Sequence, residues 1–299
     1  MKSILIGSVI SSQIMLEEMI KTDFPVDMVF SLDEKYSENV SGYYPIHETA
    51  EKYGIPYTKF KKVSTDENIN IIQEIKPDYI FVIGLSQLID KRILDIPSKG
   101  CVGFHPTPLP KFRGRAAMVW QILLGIHKTK CTLFMLDEGM DSGDILDQED
   151  YIIEDRDYAE DVERKLCDAL RRLSNRVLHG LKNQTIIPRK QNEDEATYLL
   201  IRRPEDGLID WREPVEKIHR LIRAVSHPYP GAFGMYDGQH PIIIWRAEII
   251  ENKNIIGIPG QICGIRSGSF DVLGNDGIIR VTDYENKDDI KLFVGHKLK

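Results

Sequence analysis

The chain has 299 residues, 42% of them hydrophobic, and a formal net charge of −7 at pH 7. That is enough apolar mass for a sizeable core and two domains, and the acid excess provides no global basic field for nucleic acid. Four cysteines (Cys101, Cys131, Cys167, Cys263) without a CxxC pair argue against a zinc site or a disulfide framework.

Met1 to Ser8 is only superficially like a signal peptide, because Gly, Ser and Gln and then Glu17 and Glu18 interrupt it without a small-residue cleavage pattern. No apolar run approaches the roughly 18 residues of a membrane span. A cytoplasmic protein, not bound to membrane, is expected, with no metal site.

Ser3 to Gly7 reads as a buried strand, followed by a helix through Ile14, Leu16, Met19 and Ile20 that Ser11 or Ser12 caps. Val26 to Ser31 is a second strand, and His47 to Tyr53 a short helix stopped by Gly54. Ile69, Ile72 and Ile75 mark a helical stripe ending before Pro77. Tyr79 to Gly84 is a continuous apolar strand, as in a parallel sheet covered on both faces. Strand alternating with helix predicts an α/β, doubly wound, mostly parallel sheet.

Cys101 to His105 adds a strand, Ala116 to Leu124 a helix, and Thr132 to Leu136 and Ile145 to Ile153 two more strands. Val162, Leu166, Ala169, Leu170, Leu173, Val177 and Leu181 then recur at helical spacing, which is core packing. The periodicity lapses over the polar segment 188–196. A helix at Pro214 to Val225 and short strands broken by Gly-containing turns follow, predicting a small open β-barrel. The expected division is a domain at 1–190, a linker at 191–205 and a small β-rich domain at 206–299.

Two stretches carry chemistry. His105 closes an apolar strand and enters a proline-stiffened loop, where open α/β sheets bind ligands. The other seven histidines lack that context. Asp141 lies in a Gly-containing acidic loop without the liganding spacing of an EF-hand, which leaves an acid/base partner for His105 as the better reading. Lys111, Arg113 and Arg115 sit in a loop opening a helix, a setting suited to phosphate or carboxylate. Ser8, Ser11 and Ser12 in the turn after the first strand offer hydroxyls and amides to the same ligand. Neither GxGxxG nor a Walker A sequence is present, which disfavours NAD and ATP.

The run His105-Pro106-Thr107-Pro108-Leu109-Pro110-Lys111-Phe112-Arg113-Gly114, followed by Asp141-Ser142-Gly143-Asp144, resembles the signature of the N10-formyltetrahydrofolate-dependent formyltransferase family. The similarity extends to Arg202–Trp211 and His227–Phe233, and so covers most of the chain. The resemblance implies a Rossmann-like first domain that binds formyltetrahydrofolate as co-substrate, followed by a small OB-like barrel. It gives His105 the roles of assisting amine attack and stabilising the oxyanion, and Asp141 those of orienting His105 and helping to remove the proton. The strand end Gly84, Leu85, Ser86, Gln87 and Leu88, with Asp137 and Gly139, would line the pterin pocket.

The family usually carries an oxyanion-donating asparagine two residues before the histidine, and this chain has Gly103. A backbone amide, Thr107 or a water is left to replace it. The hydrolase domain of formyltetrahydrofolate dehydrogenase is also similar and lacks that asparagine, so release of formate to water is one alternative. Formylation of methionyl-tRNA is another. Residues 31–60 hold Lys35, Lys52 and Lys59 against five acidic residues, too few cations for a tRNA reader. The expected acceptor is therefore the amine of a nucleotide-linked amino sugar, held by Ser8, Ser11, Ser12, Thr107, Lys111, Arg113 and Arg115. A homodimer through barrel strand edges is a further expectation.

Overall fold

Ser3–Gly7, buried along its whole length, forms β1 near the centre of a seven-stranded sheet. The computed structural model describes residues 1–38, 40–251 and 254–299 and divides into two units. In chain order β1 is followed by α1 (Ile10–Lys21), β2 (Met28–Leu32), α2 (Ile46–Lys52), β3 (Tyr57–Phe60), α3 (Asp66–Ile75), β4 (Tyr79–Ile83), α4 (Lys91–Leu94) and β5 (Gly100–His105). The two-residue β6 (Arg113–Gly114), α5 (Ala117–Leu123), β7 (Lys128–Met135), β8 (Ile145–Ile152), α6 (Ala159–Lys182) and the two-residue β9 (Tyr198–Leu199) come next.

The large sheet has the order β3-β2-β1-β4-β5-β7-β8. Its first five strands are parallel, which brings the segments after β1 to β5 to one edge. Isoleucines and phenylalanines from these strands pack with Ile69 and Ile72 of α3 into one core on a face of the sheet. The stripe from Val162 to Leu181 on α6 is buried, as its spacing predicts. Helix α1 begins at Ile10, earlier than expected, so Ser11 and Ser12 fall inside its first turn. There Ser12 Oγ accepts from the backbone amides of Ser8 and Val9 instead of capping from outside.

Strands β7 and β8 run antiparallel to their neighbours. A parallel β7 would have put His105 and Asp141 on neighbouring strand ends; the antiparallel one does not. Thr132 lies opposite His105 and Met135 opposite Val102, so β7 ends beside the start of β5, where the Leu136 amide reaches the Cys101 carbonyl at 2.8 Å. The 137–144 loop must turn back over the sheet to bring Asp141 to His105.

The second unit comprises residues 118–127, 153–163 and 200–299. It adds α7 (Val215–Val225) and five antiparallel strands: β10 (Ala232–Tyr236), β11 (His240–Ile250), β12 (Ile262–Arg266), β13 (Ser269–Leu273) and β14 (Ile278–Asn286). Their order is β10-β11-β14-β13-β12. An open barrel is expected, but residues outside any of these strands bridge its two edges. Lys299 and Lys297 carbonyls accept from Met235 and Asp237 on the β10 side, while the Leu298 amide donates to Gly260 ahead of β12. The last boundary between the units falls at 199/200, inside the 191–205 segment expected to be a linker, while residues 118–127 and 153–163 of the expected first domain group with the second unit. Residues 191–199 belong to the first unit, because β9 pairs with β6 and side chains of the segment hold Arg113. Among the described residues no helix is long and apolar enough to cross a membrane.

Candidate active site

His105 ends β5 with its ring buried, 5% exposed. Its Nε2 donates to the Phe112 carbonyl at 2.7 Å. A carbonyl only accepts, so Nε2 carries the proton and Nδ1 is the basic nitrogen of the neutral ring. Nδ1 faces Asp141 Oδ2 at 3.6 Å, longer than a hydrogen bond, so attraction across this gap requires a proton on Nδ1. The same Asp141 oxygen accepts the Gly114 amide at 2.8 Å. One loop therefore supplies two fixed points two residues apart, a carbonyl for the imidazole and an amide for the carboxylate. Asp141 is left-handed (φ +53°), a conformation that aspartate tolerates better than most residues. The Phe112 carbonyl holds the ring by its hydrogen bond, and a carboxylate placed as Asp141 is can act as counter-charge to a protonated Nδ1.

Several residues expected to touch the acceptor have other tasks. Arg113 is 1% exposed, and its guanidinium is fully engaged: both Glu193 oxygens at 2.7 and 2.8 Å, Gln191 Oε1 at 2.8 Å and the Tyr198 hydroxyl at 3.1 Å. The Glu193 carboxylate holds the Arg113 pKa above its usual value and is itself held below the ordinary carboxylate range. Ser8 and Ser12 are buried and donate to the Gly84 and Ile83 carbonyls at 2.7 and 2.5 Å, fastening the β1 turn to the end of β4, although Ser8 also lines the cleft beside Leu85–Leu88. Thr107 is buried with its hydroxyl donating to the Lys111 carbonyl at 2.9 Å, so it is no substitute oxyanion donor. Ser11 is half-buried beside Gly84, and Lys111 and Arg115 are exposed.

The pterin-lining candidates divide similarly. Asp137 accepts from the Gly139 amide at 3.0 Å and the Ser142 hydroxyl at 2.8 Å, which organises its own loop. Gly84 is left-handed (φ +60°), and a Cβ there would run into Val9 and Ser11, so this turn requires glycine. The Leu85–Leu88 segment lines a cleft of about 460 Å³. The cleft lies on the β1–β3 side of the segment, where Ser8, Leu32, Tyr36, Lys61 and Lys62 complete it and no residue of 137–144 takes part. Gln87 is among these lining residues, and its amide clamps the Lys61 carbonyl and the Val63 amide at 2.8 and 3.1 Å. Lys61 and Lys62 supply two cations and no carboxylate joins the lining, while Lys61 Nζ lies 4.8 Å from the Tyr36 ring centre.

Gln191, Glu193, Tyr198, Lys61 and Lys62 were not singled out by sequence reasoning. Gln191, Glu193, Lys61 and Lys62 lie in polar stretches whose composition alone says only that they are exposed, and Tyr198 opens a short apolar run, Tyr198 to Ile201, that points to no partner. Among the described residues no cluster of three or more His, Cys, Asp or Glu could hold a metal ion.

Comparison with known proteins matches residues 4–178 to the family described as Formyl transferase and residues 202–292 to Formyl transferase, C-terminal domain. A methionyl-tRNA formyltransferase of Clostridium tetani is 33% identical over 267 residues, 88% of this chain and 85% of that protein. An N-formyltransferase from Helicobacter canadensis, solved in complex with folinic acid and dTDP-3-aminofucose, superposes with a TM-score of 0.66 at 19% identity, over 95% of this chain and all of that one. HypX from Aquifex aeolicus gives a TM-score of 0.69 at 17% identity over 96% of this chain, which spans under half (46%) of that protein.

Proposed function

This chain belongs to the formyl transferase family, and we propose that the amine it formylates is carried on a nucleotide-linked sugar. Formyltetrahydrofolate is the formyl donor. The amine lone pair attacks the formyl carbon, the bond from that carbon to N10 breaks, and the proton lost by the amine ends on N10. In this reading His105 Nδ1 takes up that proton, and the Asp141 carboxylate 3.6 Å away stabilises the resulting imidazolium.

The observation that carries the acceptor reading is the cleft beside Leu85–Leu88. Its volume of about 460 Å³ suits a small molecule. Two lysines without a carboxylate, in a chain of net charge −7, suit phosphates. Tyr36, Leu32 and Leu85 offer apolar surface to a base or sugar ring. The exposed Lys111 and Arg115 remain candidates for the acceptor's anionic part. The Helicobacter canadensis enzyme, with its bound dTDP-3-aminofucose, offers a fold-level parallel.

A second reading, formylation of methionyl-tRNA, is favoured by the identity to the Clostridium tetani protein. Against it stand the acid excess of residues 31–60 and the pairing of Lys59 with Glu34 at 3.0 Å, which leave few cations for a phosphate backbone. The deciding experiment supplies formyltetrahydrofolate with nucleotide-linked amino sugars, charged initiator tRNA, or buffer alone. Folate turnover that requires the sugar, with product mass raised by one formyl group, is the expected result. Formylated tRNA would overturn the proposal, as would formate release in buffer alone.

A further inference from the structure

We propose that Gln191 is a positioning residue for the His105–Asp141 pair, bracing the two loops that hold the pair in register; this rests on the reading of that pair as the proton-handling site. Its amide uses every hydrogen-bonding group it has. Nε2 donates to the carbonyls of Asp141 and Gly143 at 2.8 and 2.7 Å, and Oε1 accepts from Arg113 Nη2 and Nε at 2.8 and 3.2 Å. Arg113 in turn stands between the residue whose carbonyl fixes the imidazole and the one whose amide fixes the carboxylate. One side chain therefore ties the loop carrying Asp141 to the loop that orients both catalytic groups.

The two loops are held in different ways. Residues 137–144 are irregular, and Asp141 is kept left-handed, a conformation stabilised here by a bond to its own carbonyl. The 106–114 loop has only the two-residue β6 as regular structure, but hydrogen bonds at Thr107, Leu109, Phe112 and Arg113 pin it, which gives Gln191 a fixed point to brace the Asp141 loop against. The Arg113 guanidinium, shut away from water, is a rigid anchor rather than a ligand contact, and Glu193 fixes it from the far side with two parallel bonds. Catalytic groups on irregular loops need such outside support to stay within a fraction of an ångström of the working geometry. None of Gln191, Arg113 and Glu193 lines the cleft, so the brace is separable from substrate binding.

Gln191→Met keeps the length and loses every hydrogen bond; Gln191→Glu keeps an acceptor for Arg113 but loses both donations to the loop carbonyls. Both are expected to lower kcat roughly 10²-fold, the usual effect of about 1 Å of misplacement. KM for folate and acceptor should stay within about threefold, since ground-state binding is untouched. On an Asp141→Asn background Gln191→Met should add little, because its effect acts through Asp141. Should Gln191→Met fail to fold, Gln191→Asn, too short to span both carbonyls and Arg113, is read in the same way. Near-native kcat in the substituted enzymes, native kcat in Gln191→Glu alone, or a full additive loss on the Asp141→Asn background would each overturn the proposal. A crippled Asp141→Asn beside an unaffected Gln191→Met would sink the positioning role alone. Near-native turnover in Asp141→Asn would sink the underlying reading of the pair.

Discussion

Leu136 occupies the space that a side chain at Gly103 would need. A Cβ on Gly103 would meet Leu136 Cδ2 at 2.5 Å and Phe134 Cε1 at 3.1 Å. Gly103 is not left-handed, so the backbone makes no demand for glycine there. The demand comes from Leu136, which packs against both the main core and the smaller cluster of Leu109, Phe134 and Ile145. In this chain, the place where the family usually puts a polar oxyanion donor is filled by a hydrocarbon.

Gly103→Asn should therefore overpack the sheet and destabilise the protein by about 1–3 kcal/mol. Combined with Leu136→Ala, which opens the space, the two losses should fall short of their sum by roughly 0.5 kcal/mol or more, because contacting residues couple. Urea denaturation of the two single variants and the double variant measures this; simple additivity would mean Leu136 does not obstruct the position.

His105→Asn and Asp141→Asn should each leave the fold intact and lower turnover by about 10²–10⁴, the usual contribution of a positioned acid or base. Steady-state kinetics beside circular dichroism decides, and a variant that retains near-native kcat removes its residue from the catalytic assignment.

Replacing Lys61 or Lys62 by Ala should raise KM for the acceptor roughly tenfold, the loss expected of one charge-assisted bond, while KM for formyltetrahydrofolate moves little. A change confined to the folate KM would assign the cleft to the other substrate.

Arg113→Ala should cost about 1–3 kcal/mol of stability through lost buried hydrogen bonds and should lower kcat, with acceptor KM unchanged. Arg115→Ala, whose side chain is exposed, should raise acceptor KM at native stability. The reverse pattern would return Arg113 to the binding surface.

Asp271 gives the barrel unit an acid limit. Burial pushes its carboxyl pKa upward, but the guanidiniums of Arg280, at 2.8 Å, and Arg266 more than offset this and hold it below the ordinary value. Its folded-state pKa lies below the unfolded value of about 3.9, so its stabilisation is present above that pH and is lost as pH falls through the folded value. Thermal melts of Asp271→Asn should show lower stability at pH 7 and a shallower decline below pH of about 4. A parent-like acid limb would assign the loss to other carboxylates.

The sequence by itself determined what depends on near neighbours. Unbroken apolar runs such as Tyr79–Ile83 and the α6 stripe reported a sheet covered by helices, and the motif around His105 and Asp141 identified the pair and the family. Tertiary structure alone decided what depends on partners far apart in the chain. Strand composition is blind to direction, so the reversal of β7, which sends the Asp141 loop back over the sheet, was not legible. An arginine in a polar loop reads the same whether it meets a phosphate or a glutamate 80 residues away, and packing made Arg113 the second. Likewise, nothing local to Gly103 announces that Leu136 fills its space, because that contact exists only once β5 and β7 lie side by side.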